Sequence, residues 1–201
     1  LQNGEEDKYG RGTLFYDIFR VLQEKRPQYV LLENVKGLTN LRDTKEIIEK
    51  DFASVCDGGY LVVPARVLLA ANYGVPQSRE RVIFYGFKKS ALTPVALAAL
   101  SQEVIAAEFD PYPIATHSEQ GDHANSILPF VKLGDVFADL PEPKDATDMD
   151  QKKHSMAKYM GKHCQGQTEV NLNGIGPTIR SEHHGNIEYR RLSAEHGGKY
   201  Q

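Results

Sequence analysis

Residues 13–35 read TLFYDIFRVLQEKRPQYVLLENV. Leu14, Ile18, Val21 and Leu22 recur at spacings of three and four. The first half therefore predicts an amphipathic helix, Thr13 to Arg26, capped by Thr13 and stopped by Pro27. Tyr29-Val-Leu-Leu32 follows as a short continuous apolar run of the kind found in buried parallel strands. It finishes on Glu33-Asn34-Val35. A carboxylate directly after a buried strand is unusual, because an unpaired charge is costly to take out of water. Two readings are open: a capping or ion-paired structural glutamate, or a carboxyl group aimed into a cleft.

The same patterning extends outward. Thr44 to Cys56 reads as a helix through Ile47, Ile48, Phe52 and Val55, with Gly58-Gly59 as its terminator. Tyr60 to Leu68 and Arg81 to Phe87 read as strands, the latter rich in β-branched and aromatic residues. The order helix, strand, helix, strand, strand predicts an α/β fold with a doubly wound sheet. Ligands of such sheets sit beyond the carboxyl ends of the strands, where this reading places Glu33 and Asn34. After Phe87 the texture changes. Ala91 to Phe109 is Ala-rich and predicted helical, Asp110-Pro-Tyr-Pro113 breaks it, and Leu133 to Leu140 is a short helix followed by a polar linker at 142–150. Asp150 to Lys162 is predicted helical, and short strands and loops are expected from Gln165. A boundary near 88–110 divides the chain into 1–90 and 91–201.

Composition sets limits. No apolar run approaches the roughly 18–20 residues of a membrane span, and the acidic start LQNGEEDKYG is unlike a signal peptide. Two cysteines make neither a disulfide framework nor a zinc pattern, so a reducing cytoplasm is expected. Net charge is −3, but it is unevenly spread. Residues 88–148 hold 4 basic and 10 acidic side chains, whereas 149–201 hold 8 basic and 5 acidic with five of the seven histidines. Any contact with a polyanion is therefore expected late in the chain.

Gln77-Ser-Arg79-Glu-Arg81 is the second constellation. Alternating arginines at a strand start share one face, and planar guanidinium groups suit a carbonyl, carboxylate or phosphate. The bland alternative is an ion-pair network with Glu80 and neighbouring acids. Alone this pattern is weak. Following Glu33-Asn34-Val35 at this distance, directly after Tyr73-Gly74-Val75-Pro76, it resembles the cytosine-carbon-5 DNA methyltransferases.

The resemblance implies a partial Rossmann-like methyltransferase sheet followed by a small mixed α+β target-recognition segment. It implies a parent enzyme, of bacterial or phage restriction–modification type, that flips a cytosine out of double-stranded DNA. That enzyme would move a methyl group to carbon 5 from S-adenosyl-L-methionine. Glu33 would hold the ring nitrogen and exocyclic amine, helping a thiolate add to carbon 6, and a carboxyl with a pKa raised by burial suits that task. Arg81 would hold the base carbonyl and Arg79 would support the nucleophile loop or the backbone. Leu14, in Gly12-Thr13-Leu14-Phe15, would pack near the cofactor, and Gln77 would join the DNA-contacting groups. Asn34 and Val35 would shape the turn. The Gly-rich cofactor loop and the Pro-Cys-Gln nucleophile loop would precede Gly10, and this chain contains neither. The cofactor site is then incomplete, and the 201 residues are expected to be inactive alone and to self-associate through unpaired sheet edges. Cys56 and Cys164 fall in the wrong places to serve as nucleophiles.

Gly174-Ile-Gly-Pro-Thr-Ile-Arg-Ser-Glu-His-His-Gly-Asn186 lies where the family places target recognition. Arg180, Ser181, His183, His184 and Asn186 supply donors for phosphates or base edges. A solvated polar hairpin is the plain alternative. No metal site is expected, since His163, Cys164, His183 and His184 match no zinc spacing. Two rival functions stay open: a methyltransferase-like module that binds DNA without catalysis, and a tRNA cytosine-5 methyltransferase.

Overall fold

The pattern of Ile18, Phe19 and Leu22 gives helix α1, Leu14–Lys25, a stripe to bury, and Leu22 packs into the core. The helix ends as expected: Arg26 takes a left-handed φ of 47° and Pro27 cannot continue the turn. A computed structural model describes residues 14–37, 50–55, 58–141, 145–149 and 170–178. Strand β1, Tyr29–Val35, follows. Residues 50–53 are helical, and β2, Tyr60–Val62, and β3, Arg66–Leu69, come next. The single strand expected over Tyr60–Leu68 is thus broken, and Pro64, which has no N–H for a ladder, lies in the break.

β4, Glu80–Lys88, is the centre of this sheet. It pairs antiparallel with β1 on one side, from Tyr29↔Phe87 to Val35↔Arg81, and antiparallel with β2 on the other, and β3 also pairs with it. This corrects the expectation of neighbouring parallel strands. β1 and β2 do run in one direction, but β4 lies between them. The reason is visible in its side chains, which are apolar on both faces. Val82 and Phe84 join Leu22, Val30, Phe52, Val55 and Tyr60 in one cluster, while Ile83, Tyr85 and Phe87 pack against Val63, Leu100 and Tyr112 in another. Each such side chain contributes about 1.5–3 kcal/mol on burial. The Tyr60 hydroxyl donates to the Pro27 carbonyl at 2.6 Å, tying β2 to the turn before β1.

The Ala-rich stretch forms a helix only over Pro94–Leu100, here α2, with Thr93 capping the Ala96 N–H. Ser101 and Gln102 turn their side chains back onto the Leu97 and Ala98 carbonyls, at 2.6 and 3.0 Å, and end it well before Phe109. By its contacts the chain forms two compact units, Leu1–Leu68 with Glu80–Pro113, and Leu69–Arg79 with Ile114–Gln201. The second holds short β5 (His117–Ser118) and β6 (Leu128–Pro129), which pair in parallel, and α3, Leu133–Phe137. Among the described residues, no helix is long and apolar enough to cross a membrane.

Candidate active site

Glu33 lies within β1 rather than beyond its end, because the ladder with β4 continues to Val35. Glu33 is opposite Ile83 and Arg81 is opposite Val35. The two are therefore diagonal neighbours on one face, close enough for long side chains to meet. They do meet: Arg81 Nε stands 2.5 Å from Glu33 Oε1. Arg81 Nη1 also donates to the Glu80 carbonyl at 2.8 Å, so the guanidinium is held from two sides. The Arg81 side chain is 21% exposed and that of Glu33 47%. The carboxyl is thus half open and ion-paired.

A second pair lies beside the first. Lys36 Nζ reaches both oxygens of Glu80, at 2.8 and 3.0 Å. Sequence reasoning missed Lys36; its position directly after Glu-Asn-Val and a glutamate between two arginines were the available signals. The expected bland network with Glu80 is met only in part, since Arg81 binds the Glu80 carbonyl and the Glu33 carboxylate. Asn34 Oδ1 accepts the Val35 N–H at 2.8 Å, a local backbone role. Half-exposed pairs of this kind stabilise a fold by about 0.2–1 kcal/mol. A ligand that replaced each partner's bonds could part Glu33 from Arg81 at small cost.

Gln77 and Arg79 belong to the second unit. There the Arg79 carbonyl accepts the Ala70 N–H at 2.9 Å, closing the loop that contains Tyr73-Gly74-Val75-Pro76. Gly74 has φ 81°, which favours glycine, and a Cβ there would fall 2.9 Å from the His117 ring, which would have to shift. Gln77 forms a parallel bridge with Gly176. Leu14 begins α1, but its side chain lies outside the described residues, as do Cys56, Cys164, Arg180, Ser181, His183, His184 and Asn186.

A family model for C-5 cytosine-specific DNA methylases matches residues 1–198. The chain belongs to that family. It is 38% identical over 95 residues to the type II methyltransferase M.HpaII of Haemophilus parainfluenzae, a match covering 44% of this chain and 24% of the relative. With M.XorII of Xanthomonas oryzae it shares 31% over 153 residues, covering 74% of this chain and 28% of the relative. With M.DdeI of Desulfomicrobium norvegicum it shares 29% over 167 residues, covering 79% and 37%. The methylase chain thus spans about a quarter to a third of these relatives' lengths. A solved structure of a prophage-encoded DNA modification methyltransferase (E. coli) is 32% identical, with a TM-score of 0.36 over 41% of this chain and 23% of its own. That score leaves the family assignment resting on the sequence match.

Proposed function

We propose that the protein carrying this sequence methylates carbon 5 of cytosine in duplex DNA, as its family membership and its likeness to type II methyltransferases favour. The observation that carries the reading is the Glu33–Arg81 pair across β1 and β4. It puts an acceptor beside a fork of donors on one face of a sheet. A cytosine edge offers the matching sequence of a carbonyl, a ring nitrogen and an exocyclic amine. Arg81 would donate to the carbonyl, and Glu33, once protonated, would donate to the ring nitrogen and accept from the amine. Withdrawing electrons at that nitrogen lets a thiolate add to carbon 6, which makes carbon 5 nucleophilic. The base would then take over bonds that Glu33 and Arg81 make to each other.

The methyl donor would be S-adenosyl-L-methionine. No described side chain shows a cradle for it, so the chemistry derived above concerns the base alone. The same reading assigns residues 1–90 to a Rossmann-like catalytic domain and 91–201 to target recognition, with Gln77, Arg180, Ser181, His183, His184 and Asn186 contacting DNA.

Transfer of labelled methyl to unmodified duplex DNA tests the proposal. Glu33→Gln should cut the rate by about 100-fold or more, the contribution of a positioned acid, without loss of DNA binding. Label on cytosine with undiminished rate in that variant would remove Glu33 from the chemistry. A folded wild-type protein that binds DNA and transfers nothing would leave a binding module.

A further inference from the structure

The backbone at Pro76–Arg79 has little hydrogen-bonding capacity left over. Proline has no N–H, and the Gln77 N–H goes to the Val75 carbonyl at 2.7 Å. One strap, residues 172–178, engages three more of its groups. Ser78 donates its N–H to the Gly176 carbonyl at 2.6 Å, and Gly176 donates its own to the Pro76 carbonyl at 2.8 Å. The Thr178 hydroxyl donates to the Ser78 carbonyl at 3.1 Å. At its other end the strap is held by α3, where the Leu133 and Gly134 N–H groups donate to the Gly174 and Leu172 carbonyls at 2.9 and 2.8 Å.

Two glycines permit these approaches. A Cβ at Gly134 would stand 2.9 Å from the Leu172 carbonyl oxygen. One at Gly176 would stand 3.2 Å from both Leu133 methyls and 3.2 Å from the Pro76 carbonyl oxygen. Gly176 is buried, wedged between an apolar side chain and the backbone that carries Gln77 and Arg79. Any side chain there must displace one or the other. Interiors this tightly packed pass a displacement on to their neighbours.

From this we infer that Gly176 is a positioning residue, whose bare Cα sets where the Gln77–Arg79 backbone lies, and so where Gln77 meets DNA and where Arg79, given a phosphate contact in this inference, meets its backbone. The inference rests on the DNA-methylase reading above. It adds a residue a hundred positions away in the chain to the Gln-x-Arg half of the motif.

The test is Gly176→Ala in the protein carrying this sequence. Binding of a duplex should weaken about tenfold, the worth of a charge-assisted hydrogen bond. The slope of log affinity against log salt should become shallower by about one, as for a lost phosphate contact. The melting temperature should stay within about 3 °C. Gln77→Ala combined with Arg79→Ala should show at least the same loss, and adding Gly176→Ala to that pair should change nothing further. Leu133→Ala opens room for the new Cβ and should return most of the lost affinity, which a generally damaged fold would not do. Wild-type affinity and salt slope in Gly176→Ala, or failure of Leu133→Ala to rescue, would overturn the assignment. Amide exchange at Ser78 reads the backbone half without DNA: protection should fall in Gly176→Ala and return in the double variant, and unchanged protection overturns it equally. A wild-type protein with that exchange pattern but no affinity for DNA would retire the methylase reading and the role given to Gly176, leaving only the strap.

Discussion

In the unit that carries β1 and β4, order comes from side chains. Leu22, Val30, Phe52, Tyr60, Val82 and Phe84 close one face of the sheet, and Val63, Leu100 and Tyr112 close the other. In the unit that carries Leu69–Arg79, order comes from backbone groups of distant segments bonding each other: Thr116 to Asn72, Ser78 to Gly176, Gly134 to Leu172. The Gln-x-Arg-x-Arg motif straddles the two regimes. Arg81 lies on the packed sheet, while Gln77 and Arg79 lie on the hydrogen-bonded loop. One short motif therefore depends on two kinds of physics, and substitutions should separate them.

The largest effect is expected from Phe84→Ala, which empties a nearly enclosed site on the central strand. It should cost about 3–5 kcal/mol in urea unfolding. If the loss were no greater than that of a single added methyl in the loop unit, the contrast between the units would break. Gly74→Ala is that added methyl. It faces the His117 ring at 2.9 Å and a φ of 81°, and a left-handed L-residue costs about 1–2 kcal/mol. His117→Ala should recover the steric part and leave the backbone part, which thermal melts of the single and double variants would resolve.

Tyr112→Phe should cost about 1 kcal/mol, the net worth of a hydrogen bond. The Tyr112 hydroxyl donates toward the Ile83 and Pro64 carbonyls, at 2.9 and 3.0 Å, under the Arg66 guanidinium that pairs with Asp110. Burial pushes its pKa up from 10.0 to about 12, against the opposing effect of Arg66. A raised acid favours the folded state while it keeps its proton. The contribution is complete below pH 10 and drains away as the pH rises toward about 12. Urea midpoints at neutral and alkaline pH should therefore fall more steeply for wild type than for Tyr112→Phe; parallel curves would sink the assignment. The smallest effect belongs to Asp122→Ala. Asp122 accepts the Ala124 and Asn125 N–H groups and the Asn125 amide, which hold its carboxyl below the usual range. The protection factors of the Ala124 and Asn125 amides should fall, in wild type on acidification and in the variant at every pH, with the global melt unmoved.

How much could be read beforehand follows the same division. α1 was legible because its apolar residues repeat with the period of a helix and Pro27 marks the stop, and β4 because it is a continuous run of β-branched and aromatic residues. Glu33 and Arg81 were legible because motif spacing carried them. The pairing of β4 between β1 and β2 was not, since an apolar run says that a strand is buried and not which neighbour it takes. The Ala-rich run overstated α2, because Ser101 and Gln102 compete for carbonyls in a way that composition does not register. The bridge of Gln77 to Gly176 had no signature at all: it joins main-chain groups far apart in sequence, and only the glycine hints at it.

The central place of β4 also has a temporal side. Of the four strands in its sheet it is made last, and its ladder partners in β1 lie about fifty residues earlier, a separation that slows folding through loop closure. β1 and β2 cannot zip to each other while they wait, because the strand that joins them has not yet emerged. A nascent chain therefore carries Val30 without Val82 and Phe84, its partners in the core, until Glu80–Lys88 is synthesised. Until those nine residues are made, the apolar groups that β4 covers stay open to association with other chains.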